Sequence, residues 1–244
     1  MPGFLIIGTQ RGGTTSLYQY LVQHPGVGES WRKEVHYFDH HHERGWDWYR
    51  AFFPRQGRFQ ITGEASPYYL FHPAVPARVR AALPEVRLIA LLRNPVDRAF
   101  SQYKMTTARG SEDLGFAGAL EAEDERLAGE PHVQPAWNWF SYRRRGYYAE
   151  QLERWLEEFP REQLLVIKSE DLAQGPERIV RQAHEFLGLE PAVPEDLTQF
   201  HRRESPGMDP AVRERLAAHF APHNRRLYEL LGRDFGWEAE GGSA

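Results

Sequence analysis

The chain has 244 residues, a formal net charge of −4, 41% hydrophobic and 26% charged residues, and no cysteine. That balance suits one globular α/β domain spanning residues 1–244 and argues against an extended nucleic-acid surface. Without cysteine there are no disulfides, no thiolate metal sites and no cysteine nucleophile.

The apolar run Phe4-Leu5-Ile6-Ile7 reads as a buried strand, followed by Gly8-Thr9-Gln10-Arg11-Gly12-Gly13-Thr14-Thr15. A helix is expected over 16–23, ending before His24-Pro25. Aromatic residues crowd 31–53, with Tyr37-Phe38 strand-like. A strand over 58–62 leads to Gly63-Glu64-Ala65-Ser66-Pro67, read as a turn that carries Glu64. Arg87–Leu92 has the continuous apolar pattern of a buried parallel strand, and Pro95 then opens a helix to about Met105. Seven acidic residues and one basic residue lie between Glu112 and Glu130, which marks 110–140 as a candidate mobile or substrate-facing insertion. Further helices are expected at 147–158, 176–187 and 211–231, with a strand at 164–167. Alternation of strands and helices predicts a mostly parallel sheet with helices on both faces. No apolar stretch approaches the roughly 18 residues of a membrane span. The expectation is a cytoplasmic protein with no membrane insertion.

The Gly-rich segment has the layout of a phosphate-binding loop: strand, turn, helix start. Thr15 falls where a nucleoside-triphosphatase has its magnesium-binding hydroxyl, but Thr14 replaces the preceding lysine and the cation stands at Arg11. Backbone N–H groups, Arg11 and the hydroxyls of Thr14, Thr15 and Ser16 suit a phosphate-bearing nucleotide. Arg93 and Ser101 form a second candidate phosphate grip. Lys33, Glu34 and His36 form a third cluster, in which Lys33 suits charge stabilisation. Glu64 suits a general base, or alternatively a cap or ion-pair partner. His40-His41-His42 reads as a solvated loop, because consecutive histidines cannot all face one ion. No metal is expected.

Together these segments resemble the PAPS-dependent sulfotransferases (PAPS is 3′-phosphoadenosine 5′-phosphosulfate). The stretch from Phe4 to Pro25 is similar to the family's 5′-phosphosulfate loop, with Arg11 in place of the usual lysine. Leu91-Leu92-Arg93-Asn94-Pro95-Val96-Asp97-Arg98-Ala99-Phe100-Ser101 is similar to its 3′-phosphate motif. Lys33-Glu34-Val35-His36-Tyr37-Phe38 and Gly63-Glu64-Ala65-Ser66-Pro67-Tyr68 are similar to segments of the heparan sulfate sulfotransferase branch and its bacterial relatives.

The resemblance implies that Arg11, Gly12, Gly13, Thr14, Thr15 and Ser16 hold the 5′-phosphosulfate, and that Arg93 and Ser101 hold the 3′-phosphate. It implies Glu64 as catalytic base, with Lys33 and Arg11 as charge stabilisers. The reaction it implies is in-line sulfuryl transfer from PAPS to a hydroxyl or amine of a saccharide or small-molecule acceptor. His36, Trp137 and Trp139 are the expected acceptor contacts. His201-Arg202-Arg203 is the nearest candidate for a late basic segment closing over the nucleotide. The acidic 112–130 stretch favours a neutral acceptor over a sulfated glycan. A P-loop kinase and a non-catalytic nucleotide-binding relative remain as alternatives.

Overall fold

A computed structural model describes residues 1–54, 57–129, 135–198 and 207–238. Its strands are β1 (Phe4–Gly8), β2 (Val27–Glu29), β3 (Ile61–Ala65), β4 (Arg87–Leu92) and β5 (Leu164–Lys168). Its α-helices are α1 (Thr14–Leu21), α2 (Trp46–Arg50), α3 (Val75–Ala82), α4 (Pro95–Ala108), α5 (Phe116–Glu121), α6 (Glu123–Arg126), α7 (Ala136–Phe140), α8 (Tyr148–Glu158), α9 (Ser169–Gln174), α10 (Pro176–Phe186) and α11 (Pro210–Leu231). The chain divides into two compact units: Met1–Leu92 with Leu152–Arg202, and Arg93–Gln151 with Arg203–Ala244.

The first unit holds the sheet, ordered β2-β3-β1-β4-β5 and parallel at each described pairing. Residues 4–8 and 88–92 are buried, as strands covered on both faces require. β1 lies between β3 and β4, so the chain leaving its carboxyl end emerges where the connections diverge, the usual place for a ligand in an open α/β sheet. Leu17, Tyr18, Tyr20 and Leu21 of α1 join Ile179, Val180 and Ala183 of α10 in one apolar core with Phe4, Ile6, Ile89 and Leu91.

One strand is displaced from its expected position. β3 covers Ile61–Ala65, so Glu64 sits inside the strand, opposite Leu5, and not in a turn after it. Gly63 is part of the pairing because the Phe4 ring fills the space a side chain would take: a Cβ there would lie 2.4 Å from the ring. Tyr37 and Phe38 lie in a turn, not in a strand.

In the second unit, Asn94 caps α4 by accepting the Val96 N–H at 3.0 Å, with Pro95 at the first helical position. Val96, Ala99, Phe116, Ala119, Tyr142, Val212, Leu216 and Phe220 form its core. The acidic stretch turns inward. Glu112 is buried and takes a two-pronged ion pair from Arg126, at 2.6 and 3.1 Å, plus the Tyr142 hydroxyl at 2.7 Å. Glu123 is buried and accepts the N–H groups of Arg143 and Arg144 at 2.7 and 3.0 Å, while Asp124 pairs with both guanidinium groups. Glu112, Glu123 and Asp124 are therefore paired locally, while Asp113, Glu121 and Glu125 stay exposed.

Candidate functional site

The Gly-rich loop joins β1 to α1 within the first unit. It is set by main-chain contacts: the Thr9 N–H donates to the Leu91 carbonyl at 2.7 Å, and the Gly12 N–H donates to the Thr9 carbonyl at 2.9 Å. The Ser169 hydroxyl holds the Gly12 carbonyl at 2.7 Å. A Cβ on Gly12 would lie 2.8 Å from the Leu91 carbonyl oxygen and 2.9 Å from that of Thr9. Gly13, at the N-cap of α1, has φ of +92°, a conformation that glycine takes without steric cost. Arg11 has φ of +70°. The loop thus has the glycine-lined main-chain cradle and N-terminal helix pole that a phosphate or phosphosulfate group fits.

The second element is the segment 33–40, also in the first unit. Its shape is imposed by side chains of β3 and the turn after it. Glu64 is fully buried and its two oxygens take four donors. Oε2 accepts the Val35 N–H at 3.1 Å and the Ser66 hydroxyl at 2.7 Å; Oε1 accepts the Tyr49 and Tyr69 hydroxyls, both at 2.9 Å. The Ser66 hydroxyl oxygen accepts the His36 N–H at 3.2 Å, and that of Tyr69 accepts the Tyr37 N–H at 2.9 Å. Arg78 clasps the Phe38 carbonyl at 2.6 Å. Glu34 and His36 are held at φ of +58° and +56°. Such a backbone costs on the order of 1–3 kcal/mol per residue and persists only where its surroundings impose it. Among the described residues, Arg11, Glu34 and His36 are the non-glycine positions with positive φ.

This geometry bears directly on Glu64. Burial pushes its carboxyl above the ordinary value, against the pull of Ser66, Tyr49, Tyr69 and the Val35 N–H, so basicity is not what it lacks. Access is what it lacks: no part of the residue is exposed and both oxygens are engaged. Through these bonds Glu64 shapes the 33–40 segment.

Glu34 is placed differently. Its side chain is 38% exposed, with Lys33 Nζ at 2.8 Å from Oε1 and His36 Nε2 at 3.6 Å from Oε2. Burial opposes its ionisation, but hydrogen bonds from His36 and Lys33 bring the carboxyl down to about 2. Burial likewise opposes charge on His36, yet the Asp39 carboxylate at 2.7 Å, helped by Glu34, raises it to about 9. The sequence grouped Lys33, Glu34 and His36, but it missed Asp39 and the tyrosines that fix Glu64. An i, i+3 relation between His36 and Asp39 was the available signal.

Arg11, Gly12, Gly13, Thr14, Thr15, Ser16, Lys33, His36 and Glu64 thus lie in the first unit. Arg93, Ser101, Trp137 and Trp139 lie in the second. Arg93 directly follows the last residue of β4, and its carbonyl accepts the Tyr148 hydroxyl at 2.8 Å. Ser101 is buried on α4. Trp137 is only 6% exposed and packs in the interior, which does not suit an acceptor platform. Trp139 is half-buried, with the Arg109 guanidinium 5.5 Å from its ring centre. His201-Arg202-Arg203 lies outside the described residues.

A parallel sheet with a glycine-lined anion cradle after its central strand defines the class of α/β phosphate-loop proteins. The sequence profile of the family described as "Sulfotransferase domain" matches residues 2–205. Heparan sulfate glucosamine 3-O-sulfotransferase 6 of Mus musculus is 34% identical over 261 residues, covering 97% of this chain and 74% of that protein. Heparan sulfate glucosamine 3-O-sulfotransferase 3B1 of Homo sapiens is 31% identical, covering 98% of this chain and 65% of that protein. The crystal structure of a sulfotransferase from Alicyclobacillus acidocaldarius shares 37% identity at a TM-score of 0.86, covering 97% of this chain and 98% of that one. The chain belongs to the sulfotransferase domain family and is a PAPS-dependent sulfotransferase.

Proposed function

We propose that the enzyme transfers the sulfuryl group of PAPS to a hydroxyl of a saccharide, with Glu34 as general base. PAPS supplies an activated sulfur whose bond to the bridging phosphate oxygen breaks as the acceptor oxygen attacks in line. On this reading the N–H groups of Gly13, Thr14 and Thr15 grip the 5′ end, with the Thr14, Thr15 and Ser16 hydroxyls as further donors and Gly12 shaping the turn by its own bond to Thr9. Arg11 balances charge gathering on the departing phosphate. Arg93 and Ser101 are assigned to the 3′-phosphate. Lys33 turns from Glu34 toward the sulfuryl oxygens, which stabilises the charge in flight. Loss of that partner lifts the Glu34 carboxyl from its depressed value, so it takes the acceptor's proton as the new O–S bond forms. No step is assigned to Glu64 beyond holding this segment.

The observation that carries the reading is the placing of backbone strain. The left-handed residues Arg11, Glu34 and His36 fall on the two segments to which donor and acceptor chemistry are assigned. A saccharide acceptor is favoured by the relatives' glucosamine substrate. It is also favoured by Trp31, which is 74% exposed beside the exposed cations Arg32 and Lys33, an aromatic face and positive rim suited to a sugar with acidic groups. With Glu112 and Glu123 paired to arginines, less of the acidic stretch weighs against an anionic acceptor.

The test is release of 3′,5′-adenosine bisphosphate from PAPS in the presence of glucosamine-containing polysaccharides, neutral oligosaccharides and phenols. Turnover with the anionic polysaccharide, lost in Glu34→Gln and kept within a few-fold in a folded Glu64→Gln, is expected. Turnover restricted to phenols would sink the saccharide reading, and an active Glu34→Gln enzyme would sink the assignment of the base.

A further inference from the structure

We propose that His36, Asp39 and His40 form a binding site for one divalent transition-metal ion of the zinc class. The triplet His40-His41-His42 cannot converge on one ion, but the turn folds so that His40 alone joins two residues ahead of it. The N–H groups of His40 and His41 both donate to the His36 carbonyl, at 3.1 and 2.9 Å. That single turn brings positions 36, 39 and 40 onto one face. One donor atom from each of the three residues lies within 4.8 Å of the others.

The donors are oriented already. The Asp39 side chain is fully buried; its Oδ1 accepts the His40 N–H at 2.7 Å, leaving Oδ2 directed at His36 Nδ1, also at 2.7 Å. The His40 ring lies 5.1 Å from the rings of His36 and Tyr68. Ligands of a tetrahedral zinc ion at about 2.1 Å stand about 3.4 Å from one another. His40 is exposed, so rotation of its side chain suffices to close the set. Two imidazoles and one carboxylate select zinc, cobalt or nickel over magnesium and calcium, which prefer all-oxygen cages. The ion takes the place of the proton between His36 and Asp39 and pins the segment that carries Glu34. It is an accessory site: the transfer roles assigned to Lys33 and Glu34 do not require it.

The experiment titrates the full chain with Zn²⁺ by calorimetry and with Co²⁺ by visible absorption, with Mg²⁺ and Ca²⁺ as comparisons. One saturable Zn²⁺ site and the intense absorption of low-coordinate cobalt are expected. His40→Ala, at an exposed position, should weaken binding by at least about tenfold, and His41→Ala should leave it unchanged. Absence of saturable Zn²⁺ binding, equal binding of Mg²⁺, wild-type affinity in His40→Ala, or equal weakening by His41→Ala would each overturn the site. Because the readout is metal binding and not turnover, its outcome is independent of the acceptor and of the base.

Discussion

The two segments at the carboxyl edge of the sheet reach unusual backbone conformations by opposite means. The Gly-rich loop is made by the main chain: Thr9 and Gly12 bond to neighbouring carbonyls, and glycine stands where a side chain has no room. The 33–40 segment contains no glycine and is hung from Glu64, Ser66 and Tyr69 by its own N–H groups. A main-chain cradle tolerates changes around it as long as its glycines survive. A segment suspended from a buried carboxylate depends on residues about 30 positions away, and fails as a unit when that carboxylate goes.

The sharpest break in this comparison separates the two glutamates. Glu34→Gln should lower kcat by about 10²–10⁴, while melting temperature and its rise with 3′,5′-adenosine bisphosphate stay near wild type. Glu64→Ala should instead cost about 3–5 kcal/mol of stability, because the Tyr49 and Tyr69 hydroxyls and the Val35 N–H lose a buried charged acceptor. Denaturant unfolding measures the second, and turnover on folded protein the first. A Glu64→Gln enzyme that melts like wild type but has lost a hundredfold or more in kcat would return the base to Glu64.

Smaller effects probe the main-chain loop. Gly12→Ala sets a Cβ against the Leu91 and Thr9 carbonyls, and should cost about 1–3 kcal/mol through overpacking as well as weakening the bisphosphate-induced melting shift. Arg11→Gly should do the reverse for stability, relieving a left-handed arginine by about 1 kcal/mol while reducing nucleotide affinity. A loss of stability in Arg11→Gly would mean that the guanidinium supports the fold and not the ligand.

The same contrast explains what was legible in the sequence. β1, β4 and the helix after Pro95 are written in local signals: apolar runs, a glycine turn, an Asn-Pro helix start. The phosphate loop was legible because its glycines are themselves the structural requirement. The role of Glu64 was not, because it depends on a register against Leu5 and on tyrosines at 49 and 69, which no local period encodes. A glutamate between Gly63 and Ala65 looks the same in a turn as in a buried strand. Charge counting is blind for a related reason: Glu112 pairs with Arg126, Glu123 with Arg143, and Asp124 with Arg143 and Arg144, pairings set by folding and invisible in a tally of the stretch.

An effect confined to acid pH, and small near neutrality, concerns the back of the helix that follows the phosphate loop. His24, just beyond α1, and His184 on α10 have rings 4.8 Å apart. Each accepts a backbone N–H at Nδ1, from Gly26 at 3.0 Å and from Ala192 at 3.3 Å, and the other nitrogen of His24 lies 3.0 Å from the Glu190 carbonyl oxygen. Burial, with His24 as the next cause, pushes His184 down to about 4. The unfolded chain then binds the proton more readily than the folded one below the ordinary imidazole value of about 6.5. Stability from this residue is therefore complete above that value and lost as pH falls toward 4, by on the order of 2 kcal/mol at pH ~5. His184→Gln cannot titrate, so its melting temperature should fall less than that of wild type between pH ~7.5 and ~5. The 33–40 segment is suspended from a carboxylate and not from this pair, so hydrogen exchange at pH ~5 should quicken first at Gly26 and Ala192, before Val35. Equal quickening at all three amides would mean that both supports yield together, and that the division between a main-chain loop and a suspended one does not extend to their stability.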